Sequence, residues 1–429
     1  MLVWITAHSN TLLEFLVPLL LGFSEAQRRH ALNMVEALLV SGAVKHKTLA
    51  ALTRVLGLPH ADQYACADFF RASPWEYAPV QWAVTLFLLR TVAAIQQKTG
   101  WRLLFLSIDD ALAQKDAATE ELEAVDWQYD HVTQRRQKGK YTKGSKYVCL
   151  HLQLGPVQFT LSWRLYLKRS QIKHLNEVRR EQGLEPLHYA KLSTLVMDML
   201  TEIAPHLPSG CRVYVLFDAW YDGHQLHTFI RSHGWHWICA TRYNRVVNDR
   251  PLSQWWSHLG HQRITRVQVR SATRSHTYLT RHVVGRLRRY PDPVVAILSK
   301  RDRRDRTPAY FLSSDTTLSI QTILKYYGYR WQTEVDNWYL KERFGLADYR
   351  VQSLEAILRW HTLVFAAYAF AQYRRVVPLL TNPKATLPEL NEVLAEHQNW
   401  HTRQTVSFIA ALARQGKSDA EIVAQLMPA

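Results

Sequence analysis

The chain has little cysteine and no paired cysteine motif. Cys66, Cys149, Cys211 and Cys239 are scattered over 429 residues with no C-x-x-C spacing. That excludes a zinc ribbon and a dithiol redox motif, and it fits a reducing compartment. The longest early apolar run, Phe15–Phe23, is too short to span a bilayer and has neither a basic leader nor a small-residue cleavage site. A cytoplasmic setting without a membrane partner is therefore expected. The glycines form no phosphate-binding loop, which leaves an NTPase without support. Long charge blocks, internal repeats and low-complexity tracts are also missing, so the chain reads as folded.

What is present is ample apolar material and positive charge. Hydrophobic residues make up 47%, enough for a substantial core, and the length suggests two to four structural units. Lys+Arg outnumber Asp+Glu by 53 to 36, a net +17. Such a field draws in a polyphosphate and releases its counterions on contact. Part of that charge sits in Gln134–Lys146 (QRRQKGKYTKGSK), where Arg135, Arg136, Lys138 and Lys140 are candidate phosphate contacts. A second basic patch, Arg286, Arg288 and Arg289 with Arg301–Arg306, is interspersed with acids that can neutralise it.

Residues 1–100 are expected to be helical, with apolar residues at helical spacing over Arg28–Leu39 and Val80–Gln97. Thr48–Leu56, Gly57 and Pro59 read as a short helix, its C-terminal stop and the start of another. That pattern suits a helix-turn-helix or an ordinary helical hairpin. From residue 101 the pattern changes. Leu103–Ile108 is a buried strand ending in Asp109-Asp110, and Tyr147–Leu154 with Gln158–Leu167 form a hairpin about Gly155-Pro156. Helix Leu192–Ala204, strand Val213–Phe217 ending at Asp218, helix His224–His233 and strand Trp235–Ala240 follow. The order predicts an α/β fold, a mixed sheet flanked by helices with carboxylates at two strand ends. Residues 246–310 read as a β-rich insertion, 311–380 as the second part of the core, and 381–429 as a helical C-terminal region. This leaves 101–245 as the first part of the core and 1–100 as a helical DNA-binding domain.

The most informative segment is Tyr327–Lys341, YGYRWQTEVDNWYLK. Tyr327, Arg330, Glu334 and Lys341 fall within an arc of roughly 60° on one continuous α-helix. One narrow stripe thus carries an acid, two cations and a phenol. Phosphodiester cleavage can use two divalent metals that clamp the attacking and leaving oxygens. Hard magnesium ions take carboxylate oxygens, and an Asp from each of two strands with a Glu from a helix supplies them. Arg and Lys beside them can hold the flanking phosphates.

Taken together, "SIDD", "VLFDAWYDG" and "RWQTEVDNWYLKERFGL" resemble the bacterial insertion-sequence transposases of the DDE superfamily. More narrowly, they resemble the cut-and-paste branch with the Tyr-Arg-Glu-Lys signature and DNA hairpin ends. The resemblance covers roughly residues 100–375. It implies an RNase H-like core with a β-rich insertion between the second Asp and the Glu. It also implies two Mg2+ ions, replaceable by Mn2+, held by Asp110, Asp218 and Glu334. Tyr327, Arg330 and Lys341 become contacts to the phosphates of the element's end. Asp109 stays open beside Asp110, because adjacent strand residues point to opposite faces and only one can face the metals. The family pattern places Thr or Ser after the catalytic Asp, whereas Ala111 follows here; the preference is for Asp110. The implied partners are double-stranded terminal inverted repeats, target DNA and a second copy of the chain in a synaptic dimer. An aromatic of the insertion region stacks near a flipped base in hairpin-forming relatives; Tyr310, Phe311 and, more weakly, Trp255-Trp256 are candidates or simply buried strand residues. A DNA-binding descendant that no longer cuts, or a non-transposing RNase H-like nuclease, are the alternatives. Two further expectations concern the region after Asp218: Asp222 caps the next helix, and His227 finds no Cys or carboxylate partner for a metal.

Overall fold

The computed structural model describes residues 8–42, 44–58, 60–129, 141–270 and 275–426. The N-terminal apolar periodicity winds into α1 (Asn10–Leu16), α2 (Glu25–Val40), α3 (Leu49–Val55), α4 (His60–Arg71) and α5 (Tyr77–Thr99). Side-chain caps start α2 and α3: Ser24 and Gln27 close a capping box on α2, and Thr48 accepts from Ala51 N at α3. Gly57, at φ +63°, supplies the left-handed residue after α3. α5 is long and apolar enough to cross a membrane by composition. It packs instead as a core helix, with Gln81 Nε2 donating to Trp163 O and Thr85 Oγ1 to Leu161 O.

The sheet begins with β1 (Leu103–Gln114), β2 (Asp126–Tyr129), β3 (Tyr141–Leu154) and β4 (Val157–Tyr166). After α6 (Arg169–Glu181) and α7 (Leu192–Ile203) come β5 (Arg212–Phe217), α8 (His224–Ser232) and β6 (His236–Thr241). A small ribbon, β7 (Val246–Val247) and β8 (Arg250–Pro251), leads to α9 (Leu252–His258). The chain then returns through β9 (Thr265–Arg270), β10 (Ser275–Arg286), β11 (Pro293–Lys300) and β12 (Ala309–Ser313). The strand order is β2-β3-β1-β5-β6-β12-β11-β10-β9, with β4 also pairing β3. β1, β5 and β6 run parallel; β12 joins β6 antiparallel, so the β-rich segment continues the same sheet. This is the mixed α/β architecture expected of an RNase H-like core.

One boundary differs in a way that matters. The first strand does not end at Asp109-Asp110 but runs on to Gln114, placing both carboxylates in mid-strand. The cause is the long β3 ladder, which pairs with β1 from Leu154 to Gly144. At its far end a Cβ on Gly144 would lie 2.5 Å from Ala113 O, so glycine permits the close approach that finishes the strand. Charges interrupt the apolar pattern in β1, but the ladder does not depend on that pattern.

The chain ends in α10 (Ile320–Gly328), α11 (Trp331–Trp338), α12 (Leu354–Val376), α13 (Pro378–Thr381), α14 (Leu390–Arg414) and α15 (Asp419–Leu426). α12 is buried nearly all round and packs against α2, α4, α5, α14 and β4. It ties the helical N-terminal part to the sheet. α2 and α14 are also joined electrostatically: the buried Glu36 carboxylate accepts from His397 Nε2 at 3.0 Å and lies 3.7 Å from His8 Nδ1. Burial alone would raise Glu36, but its histidine partners outweigh this and hold it at about 2, below the usual 4.5. A depressed carboxylate stabilises the fold above its unfolded pKa, and that contribution is lost as pH falls through the folded value. Acid titration from pH 5 to 2 is therefore expected to loosen the α2–α14 contact, and Glu36→Gln should flatten the loss of melting temperature over that window. An unchanged acid profile in the variant would refute this.

Candidate active site

Two parallel strands and one helix build the site. β1 and β5 are in register with Ser107 opposite Leu216, so continuing two residues brings Asp218 level with Asp109 at the mouth of the sheet. Asp109 and Asp110, as neighbours on a strand, point to opposite faces. Asp109 is buried against α11, where Thr333 Oγ1 donates to its carboxylate at 2.7 Å and Arg330 Nη1 at 3.1 Å. Asp110 is more exposed and pairs with Lys146 Nζ at 3.0 Å. Asp218 follows the last residue of β5 and accepts from Trp220 N at 2.8 Å. Glu334, in the first turn of α11, is half-exposed, with Arg330 Nη2 at 3.7 Å.

The electrostatics show one shared field. Burial pushes Asp109 up to about 6; Arg330 and Thr333 pull against it, while Glu334 and Asp110 add to it. Burial likewise raises Asp218, opposed by the Trp220 N–H and reinforced by Asp110. Asp109 thus meets Arg330 and Glu334 on the α11 side, while Asp110, bonded to Lys146, adds its charge to Asp109 and Asp218. Excess negative charge among hard oxygen donors is the environment a divalent metal relieves. A set of carboxylate oxygens is the donor chemistry a hard divalent cation takes.

The Tyr-Arg-Glu-Lys stripe is assembled differently from the expectation of one helix. Tyr327 lies in the last turn of α10, Arg330 precedes α11, Glu334 is in the first turn of α11, and Lys341 sits in a π-helical turn, Tyr339–Arg343. Between α10 and α11 the backbone bonds tighten to i→i+3, including Arg330 N to Tyr327 O and Thr333 N to Arg330 O. Thr333 Oγ1 also bonds Arg330 O, a local competitor to regular helix. Tyr327 is half-buried and packs on Phe311, ring centres 4.9 Å apart, with the Arg330 guanidinium 5.9 Å from its ring. Lys341 is close enough to Cys149, the β3 partner of Asp109, for its charge to be felt there.

Behind the site, Asp336 on α11 is buried and fully bonded. It accepts from His151 Nδ1 at 2.8 Å, Thr160 Oγ1 at 3.3 Å, Tyr368 OH at 2.7 Å and Gln332 Nε2 at 3.1 Å. These bonds fix α11 to β3, β4 and α12. Nothing in the sequence pattern singled out Asp336, Thr333 or Lys146, since each acts through a partner distant in the chain.

Other expectations resolve as follows. Arg135, Arg136, Lys138 and Lys140 lie outside the described residues. Tyr310 is a buried strand residue, Phe311 packs on Tyr327, and Trp255 is buried. Asp222 does not cap α8, whose N-cap is Gly223 without a side-chain bond. It accepts from Thr241 Oγ1 and lies 3.2 Å from His227 Nε2 and 3.4 Å from Arg245 Nη2. The fold also gives His227 the partners that its sequence spacing lacked: Asp222 and Cys239 bring ligand atoms within 4.8 Å of it and of each other. The Arg245 cation on the same Asp222 oxygen opposes a metal there.

A family model described as a DDE superfamily endonuclease matches residues 18–290, well over half the chain. The match includes Asp109, Asp110 and Asp218 and ends before Tyr327. Among curated proteins, none matches the chain.

Proposed function

Because the chain belongs to the DDE superfamily of endonucleases, we propose that it is a cut-and-paste DNA transposase acting at the inverted-repeat ends of an insertion sequence. The observation that supports this most is Arg330, which bonds Asp109 on β1 and reaches Glu334 on α11, tying the strand carboxylates to the helix. Asp110, Asp218 and Glu334 would hold two Mg2+ ions, with Mn2+ as substitute. Bound metal would supply Lewis-acid stabilisation of the phosphodiester displacement. Asp109 has its carboxylate engaged by Arg330 and Thr333, so it sets α11 and orients Glu334. Arg330, Tyr327 and Lys341 take the phosphates flanking the scissile bond. Water attacks the phosphorus and the 3′ oxygen leaves as a hydroxyl; that hydroxyl then attacks a target phosphodiester, displacing the next 3′ oxygen. Two ends must be held together for paired transfer, hence a homodimer on DNA in the cytoplasm.

The test is cleavage and strand transfer with a duplex carrying the element's own end, in Mg2+ or Mn2+, against an unrelated duplex. Metal-dependent cutting confined to the end, with joining of the new 3′ hydroxyl to a plasmid, is expected. Binding without cutting would instead indicate a DNA-binding descendant. In the same assay Asp110→Ala should leave no cleavage while Asp109→Ala retains a residue of it. Equal activities in the two would remove the division of roles.

A further inference from the structure

The buried Glu36 on α2 meets histidines from both ends of the chain. His397 and His401 lie one turn apart on α14, the spacing that puts two rings on one helix face. His8 comes from the segment just before α1. Glu36 Oε1 lies 3.0 Å from His397 Nε2, and Oε2 lies 3.7 Å from His8 Nδ1. His401 is the third ring in the same field. Burial pushes it down, Glu36 opposes that, and His397 and His8 add to it. A neutral imidazole is the form that lends a nitrogen lone pair to a metal.

Hydrogen bonding does not complete this cluster. Glu36 is fully buried, yet its Oε2 has no hydrogen-bond partner, and neither have His8 Nδ1 and His401 Nε2. Each such atom in the interior costs free energy. A carboxylate oxygen and two imidazole nitrogens all offer lone pairs, so one cation can serve the three. Around a tetrahedral zinc, neighbouring nitrogen and oxygen donors are about 3.3 Å apart. The separations of 3.0 and 3.7 Å lie on either side of that value. Asp222, His227 and Cys239 differ, because Arg245 sits on their carboxylate. Among the described residues, the ion pairs of Glu36 are with histidines alone.

We propose that Glu36, His397, His401 and His8 form a structural Zn2+ site. Imidazole nitrogens select zinc over Mg2+, which takes oxygen. Four protein ligands close the tetrahedron and leave no position for a substrate, so the ion holds the fold and does no chemistry. It takes the place of the proton that His397 shares with Glu36. The N-terminal segment and α14 are thereby tied to α2, which α12 joins to the rest of the chain. The site shares no residue with the carboxylates of β1, β5 and α11 and does not rest on the transposase reading.

The test is zinc binding by the untagged full chain, stripped with a chelator and titrated in excess Mg2+, with melting followed alongside. One tight equivalent per chain and a zinc-dependent rise in melting temperature are expected. His401 is half-buried, so His401→Ala should fold. It should weaken the tight equivalent at least tenfold, since loss of even an outer partner of a ligand costs roughly 10–100-fold. It should also lose the rise in melting temperature. His8→Ala should behave in the same way, whereas Glu334→Ala should keep both the equivalent and the rise. Co2+ in place of zinc should give the visible absorption of a four-coordinate ion, lost in His401→Ala. No tight equivalent in the wild type would overturn the site. Its retention in both histidine variants, or its loss in Glu334→Ala, would do the same. A wild type that takes up zinc here but cuts no DNA with any divalent metal would remove the transposase reading and leave this site standing.

Discussion

Glu334→Ala is expected to bind the element's end as the wild type does and to cut it more than about a hundredfold more slowly, since loss of even an outer partner of a metal ligand costs roughly 10–100-fold. Three observations set this expectation. The Glu334 side chain is 48% exposed, and among the described residues its one ion pair is a long contact to Arg330, so its removal leaves the core intact. Its charge weighs on Asp109, which places it in the field of the strand carboxylates. It also sits in the first turn of α11, which Asp336 and Thr333 anchor from behind and beside. A change confined to the turnover of cut DNA therefore follows. Glu334→Gln should be as inactive as the alanine variant, because the amide keeps the size and loses the charge. Glu334→Asp should retain part of the activity if the shortened carboxylate still reaches the metals. EDTA should abolish wild-type cutting and Mg2+ restore it. A Glu334→Ala protein that cuts at the wild-type rate would remove the residue from the site, and one that neither binds nor melts normally would show that it supports the fold instead.

Local pattern carried much of this architecture and failed where a distant partner decides the outcome. Val213–Phe217 is a short apolar run closed by an acid, and it forms β5 with Asp218 at its end. The spacing Tyr327-Arg330-Glu334-Lys341 was legible because residues three, four and seven apart share a helix face. The break between α10 and α11 was not, because it depends on Thr333 bonding both Arg330 O and Asp109, residues brought together only in the fold. β1 was read short for a similar reason: Asp109 and Asp110 end the apolar run, while β3 carries the pairing through to Gln114. The continuity of the sheet through β12 and β6 was hidden because it joins strands about seventy residues apart. Asp222 looked like a cap from its position before α8; its side chain turns instead to Thr241, His227 and Arg245.

The largest stability effect should come from Asp336→Ala. Asp336 is buried and accepts four hydrogen bonds, two of them from His151 and Tyr368 on other elements at 2.8 and 2.7 Å. Deleting it leaves the Tyr368 hydroxyl, the His151 Nδ1 and the Thr160 hydroxyl without their acceptor in the core. Breaking a buried pair from one side costs about 3–5 kcal/mol, because the stranded partner keeps its desolvation penalty. The urea midpoint should fall accordingly with little change in the slope, since the surface exposed on unfolding is the same. Asp336→Asn should lose less, because its carbonyl can still accept from Tyr368 while the amide faces His151. Coupling should be visible in a double-mutant cycle with His151→Ala, in which the second loss is much smaller than the first. The same network holds α11 against the sheet, so cleavage by the folded Asp336→Asn protein should drop in kcat more than in KM, with metal affinity weakened and DNA affinity retained. Additive losses in the cycle would mean that Asp336 and His151 act separately, and unchanged cleavage in a destabilised variant would confine Asp336 to stability rather than to the placement of Glu334.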